Sequence, residues 1–373
     1  MLNDPYPHYA AMRASAPVHF NPALQMWEVY RYHDIQAVLA DAQTFSSDLS
    51  VLQTMATMDP PRHTQLRRLV ARAFTAKLIN GLEPKILSIT DELLACVAAP
   101  GRMDAIADLA FPLPVTVIAE LLGLPAEDRG LFKKWSVPAI RVAEAELHRQ
   151  PPAAEHLEAV NELMAYLERL AQRRQDDPRD DLVSGLVHAE VDGERLTMQE
   201  ITSTCRLLLI AGFETTTNLI GNAVQLLLSH PEQMERVRTD RSLLEPAIDE
   251  AARYHAPFQF LARKATRDVV LGGQEISAGQ VLLILMASGN RDEEVFDRAD
   301  QFDVMRSPSR HLGFGHGIHY CLGAGLGRLE ARVAIDRTMQ RFPDLKLDAE
   351  RPAEPLDSTV LFGWRTLPLR TAT

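Results

Sequence analysis

A glycine-rich stretch over residues 312–330 constrains this chain more than any other feature, because it surrounds a single cysteine. Gly313, Gly315 and Gly317 precede Cys321, and glycine lets a backbone approach a large flat group closely and adopt positive φ. The residues after Cys321 have the apolar spacing of a helix. A helix that begins there would point amide N–H groups and its positive end toward the sulfur. That environment favours the thiolate, which is the form of cysteine that binds metal.

Three other interpretations of this stretch stay open from the residues alone. A buried structural cysteine is common, although it needs no glycines before it. A zinc site is the second, although the closed ligand spacings of zinc sites are absent. Its ligands would be His311, His316, His319 and Cys321. A dinucleotide-binding fingerprint is the third, although no strand precedes its glycines. Those glycines are Gly323, Gly325 and Gly327.

The ten residues from Phe314 to Gly323 fill every fixed position of the pattern F-G-x-G-x-H-x-C-x-G. In this the chain resembles the cytochrome P450 family, whose haem-ligand loop has that pattern. The resemblance implies a mainly α-helical P450 fold with small β-sheets on one side, and haem b (iron protoporphyrin IX) as the cofactor. It also implies that Cys321 is the thiolate ligand of the iron, and that Phe314, His319 and Gly323 belong to the haem-binding site.

A second motif begins at residues 59–61, Asp-Pro-Pro, which is typical of a helix start. His63 and Arg67 follow four residues apart, so they share one helix face, and two such groups suit a carboxylate partner. A solvated helix face is the alternative interpretation. The resemblance implies that this pair binds a haem propionate and that Arg263 binds the second one. His319 would help to neutralise the two propionates.

A long apolar helix is predicted between Thr197 and His230. Thr197 and Glu200 have the spacing of a capping box, and the run is about 32 residues, or ~48 Å at ~1.5 Å per residue. Residues 211–217 are a poor helix sequence, because they contain one glycine and three β-branched residues. Glu214 is costly inside an apolar run without a partner. A local rule broken within a strong helix points to function.

The resemblance assigns that function. The family has A-G-x-(D/E)-T in this helix, where the helix bulges over the haem and forms an oxygen-binding groove. Glu214 and Thr215 would be its acid–alcohol pair: Thr215 would hydrogen-bond to the oxygen, and Glu214 would help to relay protons from solvent. Ala211 would face the haem. A threonine-rich kink without chemistry is the alternative.

Glu250 and Arg253 lie three residues apart on a helix predicted over residues 243–255. Alone this spacing is a weak signal, because such pairs are frequent on helix surfaces. The resemblance makes them the family's structural Glu-Arg pair, with Arg306 as the third member. Their role would be to brace the haem-binding core rather than to take part in chemistry.

The residues expected to line the substrate pocket are apolar, which indicates a largely hydrophobic small molecule. Fatty acids, terpenoids, steroids and polyketides all fit this description. The expected wall residues are Leu207, Leu208, Ala211, Pro257, Phe258, Phe260 and Val360.

Charge and cysteine content limit the partners and the compartment. The net charge of −11 disfavours nucleic-acid binding, and no apolar run has the length of a membrane span. Three separated cysteines do not form a disulfide framework, which suits a reducing cytosol, and the first residues lack a signal-peptide pattern. We therefore expect a cytoplasmic monomer in which residues 1–373 form one haem-binding domain.

The function implied by the resemblance is haem-thiolate monooxygenation, in which O2 and two electrons place one oxygen atom in an organic substrate. No flavin or iron–sulfur segment is visible, so we expect electrons from a separate ferredoxin and its reductase. A basic patch on the cysteine side would dock the ferredoxin. Its members would be Arg67, Arg68, Arg72 and Arg328. Two alternatives are a peroxide-driven peroxygenase or decarboxylase, which would lack the acid–alcohol pair, and a non-catalytic haem sensor.

Overall fold

The computed structural model describes residues 4–49, 54–97, 101–147, 151–307 and 310–371, and its helices and strands lie within those ranges. The α-helices are α1 (Tyr6–Ser15), α2 (Tyr32–Ala40), α3 (Arg62–Ala73), α4 (Ala76–Gly81), α5 (Glu83–Ala95), α6 (Pro112–Leu121), α7 (Arg129–Leu147), α8 (Ala154–Asp176), α9 (Leu182–His188), α10 (Met198–Ser229), α11 (Pro231–Thr239), α12 (Leu244–Tyr254), α13 (Met286–Gly289) and α14 (Ala324–Arg341). The strands are β1 (Val18–Asn21), β2 (Met26–Val29), β3 (Phe45–Ser46), β4 (Arg102–Asp104), β5 (Glu190–Val191), β6 (Glu194–Arg195), β7 (Leu261–Ala265), β8 (Val269–Leu271), β9 (Gln274–Ile276), β10 (Val281–Ile284), β11 (Lys346–Leu347), β12 (Glu354–Pro355), β13 (Trp364–Thr366) and β14 (Pro368–Arg370).

The longest helix, α10, begins and ends where the sequence predicts. It contains 32 residues. The Thr197 side chain accepts a hydrogen bond from the Glu200 amide, and the Glu200 carboxylate accepts one from the Thr197 amide, so both halves of the capping box form. Helix α10 packs against α6, α8, α12 and α14. Helix α10 therefore lies among these four helices.

The strands are short and form small sheets. The largest has the order β1-β2-β10-β7-β3. Strand β10 pairs in parallel with β2 and antiparallel with β7, which joins the N-terminal part of the chain to residues 261–284. A three-stranded sheet has the order β11-β14-β4, and three two-stranded pairs complete the β structure of the described residues. This is the mainly helical architecture with small sheets that the cysteine motif predicts.

In the part of the chain that the structure describes, buried apolar side chains form three clusters. The largest packs the helices around α10 together and includes Leu209, Phe213 and Leu326. The second includes Val29 and Ile35 beside the five-stranded sheet. The third packs α1 against the segment near α13. Among the described residues, no helix combines the length and the apolar character needed to cross a membrane.

Candidate active site

The backbone around Cys321 requires glycine at several positions. Gly315 and Gly317 have φ of 77° and 71°, which side-chain-bearing residues rarely adopt. A Cβ on Gly317 would collide with the Leu39 carbonyl oxygen, and one on Gly313 would lie 2.6 Å from the Ala252 oxygen. The loop is therefore pressed against α2 and α12. These contacts explain part of the glycine pattern without any ligand.

The Cys321 side chain itself points to an accessible surface. Its amide donates a hydrogen bond of 2.8 Å to the Phe314 carbonyl oxygen, which closes the loop, and the residue is exposed. Helix α14 begins three residues later with Gly323 as its N-cap. A Cβ built on Gly323 would meet nothing within 4 Å. The small residues beside the sulfur thus leave room for a ligand to approach it.

Burial and positive groups act in opposite directions on the Cys321 sulfur. Burial by surrounding protein raises the pKa of the thiol, whereas the Gly323 amide and the charges of Arg67 and Arg328 lower it, and burial outweighs them. The amide donors expected at the start of the helix are therefore in place, but they and the two arginines do not offset the effect of burial on the pKa. A metal cation at the sulfur would supply the remaining charge that the thiolate needs.

The choice of metal follows from the donor set. Among the described residues, no three His, Cys, Asp or Glu side chains are grouped so that they could hold a metal ion. The zinc site considered from the sequence is therefore not formed. A lone thiolate suits a metal that brings its other ligands with it, as iron does in haem.

Four cationic or proton-binding side chains crowd beside the cysteine loop. The ring of His63 is 1% exposed and neither of its nitrogens has a partner, and it lies 4.2 Å from the ring of His319. Burial lowers the pKa of His63, Arg67 and Arg263. Burial, with the neighbouring His63 and Arg263, lowers the pKa of His319 to about 3. Asp59 opposes these pKa shifts at His63, Arg263 and His319 without cancelling them, so the cluster favours a further anion. The two carboxylates of a haem fit that requirement.

Ser46 and Ser47, which belong to no motif in the sequence, also contact this region. The Ser47 hydroxyl lies 3.0 Å from His319 Nε2, and the Ser47 amide donates a hydrogen bond of 2.9 Å to Asp59 Oδ1. The Ser46 hydroxyl also donates to Asp59, over 2.5 Å. Asp59, predicted only as a helix-start residue, therefore positions Ser47, and Ser47 contacts His319. The contact spans 272 residues, and local spacing does not reveal it.

Glu214 and Thr215, the predicted acid–alcohol pair, lie in an unbroken helix. The resemblance implied a bulge, but α10 is a continuous α-helix through Ala211 and Thr215. The Thr215 hydroxyl donates a hydrogen bond of 2.6 Å to the Ala211 carbonyl oxygen, a local bond that bends helices without breaking them. Ala211 is exposed, and Glu214 is half-buried. A Cβ on Gly327 of α14 would lie 3.6 Å from Thr216 Oγ1, so this turn adjoins the helix that follows Cys321.

Glu250 and Arg253 form a buried brace. Arg253 is fully buried and donates to Glu250 over 2.7 and 2.8 Å. Its remaining N–H groups donate to the carbonyl oxygens of Asn290, Ala299 and Gln301. Arg306 donates to the same carboxylate over 3.1 Å. The three predicted members therefore meet, and they fasten α12 to the segment before the cysteine loop.

The expected pocket residues are only partly brought together. The Phe362 amide donates to the Pro257 carbonyl oxygen, and Phe258 forms a β-bridge with Leu361, so residues 257–260 adjoin residues 360–362. Leu207 and Leu208 pack against the largest apolar cluster. Phe258 packs against the second cluster and Phe260 against the third. Phe260 thus packs among different neighbours from Leu207, and the described contacts do not place the two in one wall.

The expected basic patch is partly neutralised within the chain. Arg68 lies 3.0 Å from Asp192, and Arg328 lies 2.6 Å from Asp249. The Arg67 guanidinium donates to the Tyr320 carbonyl oxygen. Positive charge on this face is therefore smaller than the count of arginines suggests.

Comparisons with known proteins define the class. A family model described as Cytochrome P450 matches residues 149–371. The chain is 41% identical over 368 residues to Cyclomarin C epoxidase CymV of Salinispora arenicola, covering 95% of this chain and 93% of the relative. It is 40% identical over 388 residues to cytochrome P450 monooxygenase PikC of Streptomyces venezuelae, covering 98% and 91%. The structure of CYP109E1 from Bacillus megaterium in complex with testosterone superposes with a TM-score of 0.93 at 38% identity, covering 99% and 100%.

The chain therefore belongs to the cytochrome P450 family. It is an oxidoreductase that contains haem and acts as a haem-thiolate monooxygenase on a hydrophobic small molecule, with O2 and with electrons from separate redox partners. The cysteine motif predicted membership of the cytochrome P450 family, the fold class and the enzyme class, and all three predictions are confirmed.

Proposed function

We propose that this chain binds haem b through Cys321 and hydroxylates or epoxidises a hydrophobic molecule of about steroid size. The observation that carries the assignment is the exposed residue Cys321 in a loop whose His319 packs against the buried ring of His63, a ring with no hydrogen-bond partner at either nitrogen. When bound, haem supplies the redox-active iron at which O2 is reduced and one oxygen atom is passed to the substrate.

The cysteine loop holds the cofactor from one side. The Cys321 thiolate is the ligand, and Arg67 and Arg328 stabilise its charge. The Phe314 carbonyl oxygen accepts a hydrogen bond from the Cys321 amide. Together with Gly323, Phe314 shapes the loop at the ligand. These residues therefore fix both the position and the charge of the sulfur.

The propionates are neutralised by the cluster of proton-binding groups beside the cysteine loop. Arg67, His63, Arg263 and His319 each gain an anionic partner, which offsets the cost of burying them. Ser47 holds the His319 ring at Nε2, so His319 would approach a carboxylate in a fixed orientation.

Proton delivery is assigned to the middle of α10. The Thr215 hydroxyl, which donates to the Ala211 oxygen in this structure, would reorient to hold a proton at Oγ1 in the groove. Glu214, half-buried on the neighbouring position, would pass protons from solvent. This division of roles needs the two residues to be adjacent, as they are.

The substrate class rests on the apolar character of the expected pocket residues and on two structures of one similar protein. Leu207, Leu208 and Val360 are apolar, and CYP109E1 has been solved in complex with testosterone and with corticosterone. Steroids are therefore the first compounds to test in a screen for substrate-induced spectral shifts. We further propose a ferredoxin and its reductase as the electron donors, and a monomeric protein.

The acid–alcohol assignment is tested by counting products. In Thr215→Ala, reductant consumption and substrate binding should persist, but the ratio of oxygenated product to reductant should fall at least severalfold, with hydrogen peroxide rising in compensation. Glu214→Gln should instead slow O2 consumption, because proton delivery is impaired.

A matched control is available in the same helix. The Thr202 hydroxyl also donates to carbonyl oxygens of its own helix, those of Met198 and Gln199, so Thr202→Ala removes a similar bond away from the middle turn. It should leave the product ratio unchanged. Unchanged coupling in Thr215→Ala would remove the assignment, and turnover driven by hydrogen peroxide alone at the same rate would favour the peroxide-driven alternative.

A further inference from the structure

Asp249 lies between the two ends of the cysteine loop. It precedes Glu250 on α12, but its carboxylate faces a different set of partners. Asp249 Oδ1 accepts a hydrogen bond of 2.6 Å from Arg328 Nε, in the helix after Cys321. The same oxygen lies 3.5 Å from His311 Nε2, in the segment before the loop. One carboxylate thus ties both flanks of the loop to α12.

The histidine contact is oriented by the backbone. His311 Nδ1 accepts the Gly313 amide over 3.1 Å, which leaves the ring proton on Nε2, the nitrogen that faces Asp249. The His311 side chain is almost fully buried. Burial raises the pKa of Asp249, but the hydrogen bonds from His311 and Arg328 outweigh it and leave that pKa below its usual value. Asp249 is therefore an anion held by two donors.

Arg328 connects this carboxylate to the ligand residue. Its guanidinium carbon lies 4.3 Å from the centre of the Phe314 ring, within the range of a cation–π contact. The Phe314 carbonyl oxygen accepts the Cys321 amide over 2.8 Å. Arg328 Nη1 also donates to the Tyr320 hydroxyl over 3.4 Å. The arginine is thus fixed by Asp249 on one side and stacked on the loop on the other.

Two arginines lie beside the residue that precedes Cys321. Arg67 donates a hydrogen bond to the carbonyl oxygen of Tyr320, and Arg328 donates one to its hydroxyl. Arg67 is held by the Tyr320 carbonyl oxygen, whereas Arg328 is held by Asp249. Arg332, one turn further along α14, is engaged by Glu83 and Glu245 instead.

We propose that Asp249 is a positioning residue that holds Arg328 against Phe314, and thereby sets the positive field at the Cys321 sulfur and the reduction potential of the bound haem. The inference rests on the proposed ligand role of Cys321. An arginine released from Asp249 has a flexible side chain and would move into solvent, where its charge is screened. The field at the sulfur therefore depends on a residue that contacts neither the haem nor the substrate.

A double-mutant cycle tests the proposal on the haem-loaded protein, with the reduction potential as the readout. Removing a positive charge near the thiolate disfavours the reduced state, so Arg328→Gln should lower the potential of the otherwise unchanged protein. In the Asp249→Asn background, Arg328 is no longer held near the sulfur. The same substitution should then shift the potential by less than half as much. Asp249→Glu, which displaces the carboxylate by one methylene, serves the same cycle if the Asn variant does not retain haem.

An exposed ion pair on the same helix provides the matched control. Arg337 donates to both carboxylate oxygens of Asp91 over 2.7 Å, nine residues beyond Arg328, or ~14 Å along the helix. Arg337→Gln and Asp91→Asn should leave the potential unchanged. A shift on Arg328→Gln that is equal in both backgrounds, or no shift at all, overturns the role of Asp249. If the unmodified protein lacks thiolate-type absorbance, the ligand assignment fails first, so the two failures are distinguishable.

Discussion

At the residue scale, burial and neighbouring charge control what the site can bind. Burial, together with His63 and Arg263, lowers the pKa of His319 to about 3, and burial, together with Arg67, lowers the pKa of His63. Charged groups brought together in a partly buried place destabilise the protein unless an anion offsets them. The propionates of haem would do so, and this couples cofactor binding to the stability of the folded state.

Arg67 offers a direct test at this scale. In Arg67→Ala, a propionate loses a charge-assisted hydrogen bond worth about 1.5–3 kcal/mol, so haem dissociation should speed up by about tenfold to a hundredfold. Transfer of haem to an excess of an apo-globin measures this rate. Arg68→Ala, which removes a neighbouring exposed arginine paired with Asp192, should leave the rate unchanged. Equal haem retention in both variants would show that Arg67 does not bind a propionate.

The sequence is informative at this scale only where spacing is local. His63 and Arg67 could be predicted as a pair because residues four apart share a helix face. Cys321 could be predicted as the ligand because its loop motif is complete. Ser47 and Asp249 could not be found in the same way. Their partners, His319 and Arg328, lie 272 and 79 residues away in the chain, and only the folded chain brings them together.

At the element scale, helices α10 and α12 have different roles. Helix α10 carries the proposed acid–alcohol pair. Its capping box and its end at His230 followed the predicted pattern because both signals are local. The expected bulge is not formed: α10 is a continuous helix through this turn, and the Thr215 hydroxyl donates to the Ala211 carbonyl oxygen within it. Helix α12 is a platform: Glu250 and Arg253 fasten it to later segments, and Asp249 fastens the cysteine loop to it.

Breaking the brace of α12 should be costly. Glu250→Gln leaves the fully buried Arg253 without its carboxylate, and an uncompensated buried charge destabilises by about 3–5 kcal/mol. The free energy of unfolding from denaturant titration should fall by that amount. Glu245 lies on the same helix and forms an exposed pair with Arg332, so Glu245→Gln should change it by less than about 0.5 kcal/mol. Similar values for the two variants would contradict a structural role for Glu250.

At the scale of the whole molecule, segments that are far apart in the sequence contact one another in the fold. Strand β2 near the N-terminus pairs with β10, and Arg13 of α1 donates to the Ser288 carbonyl oxygen in α13. We propose on these grounds that residues 1–373 form one domain. The sequence predicted small β-sheets but not the order of the five-stranded sheet, because that pairing joins β10 to a strand near the other end of the chain.

The most direct test of the account is the absorbance of the reduced carbon-monoxide complex in three single variants. Cys96→Ala and Cys205→Ala should keep the thiolate-type spectrum of the unmodified protein, because Cys96 is exposed on the segment after α5 and Cys205 is buried in α10. Cys321→Ala should lose that spectrum entirely. A thiolate-type spectrum that persists in Cys321→Ala would contradict the central claim that this cysteine is the haem ligand.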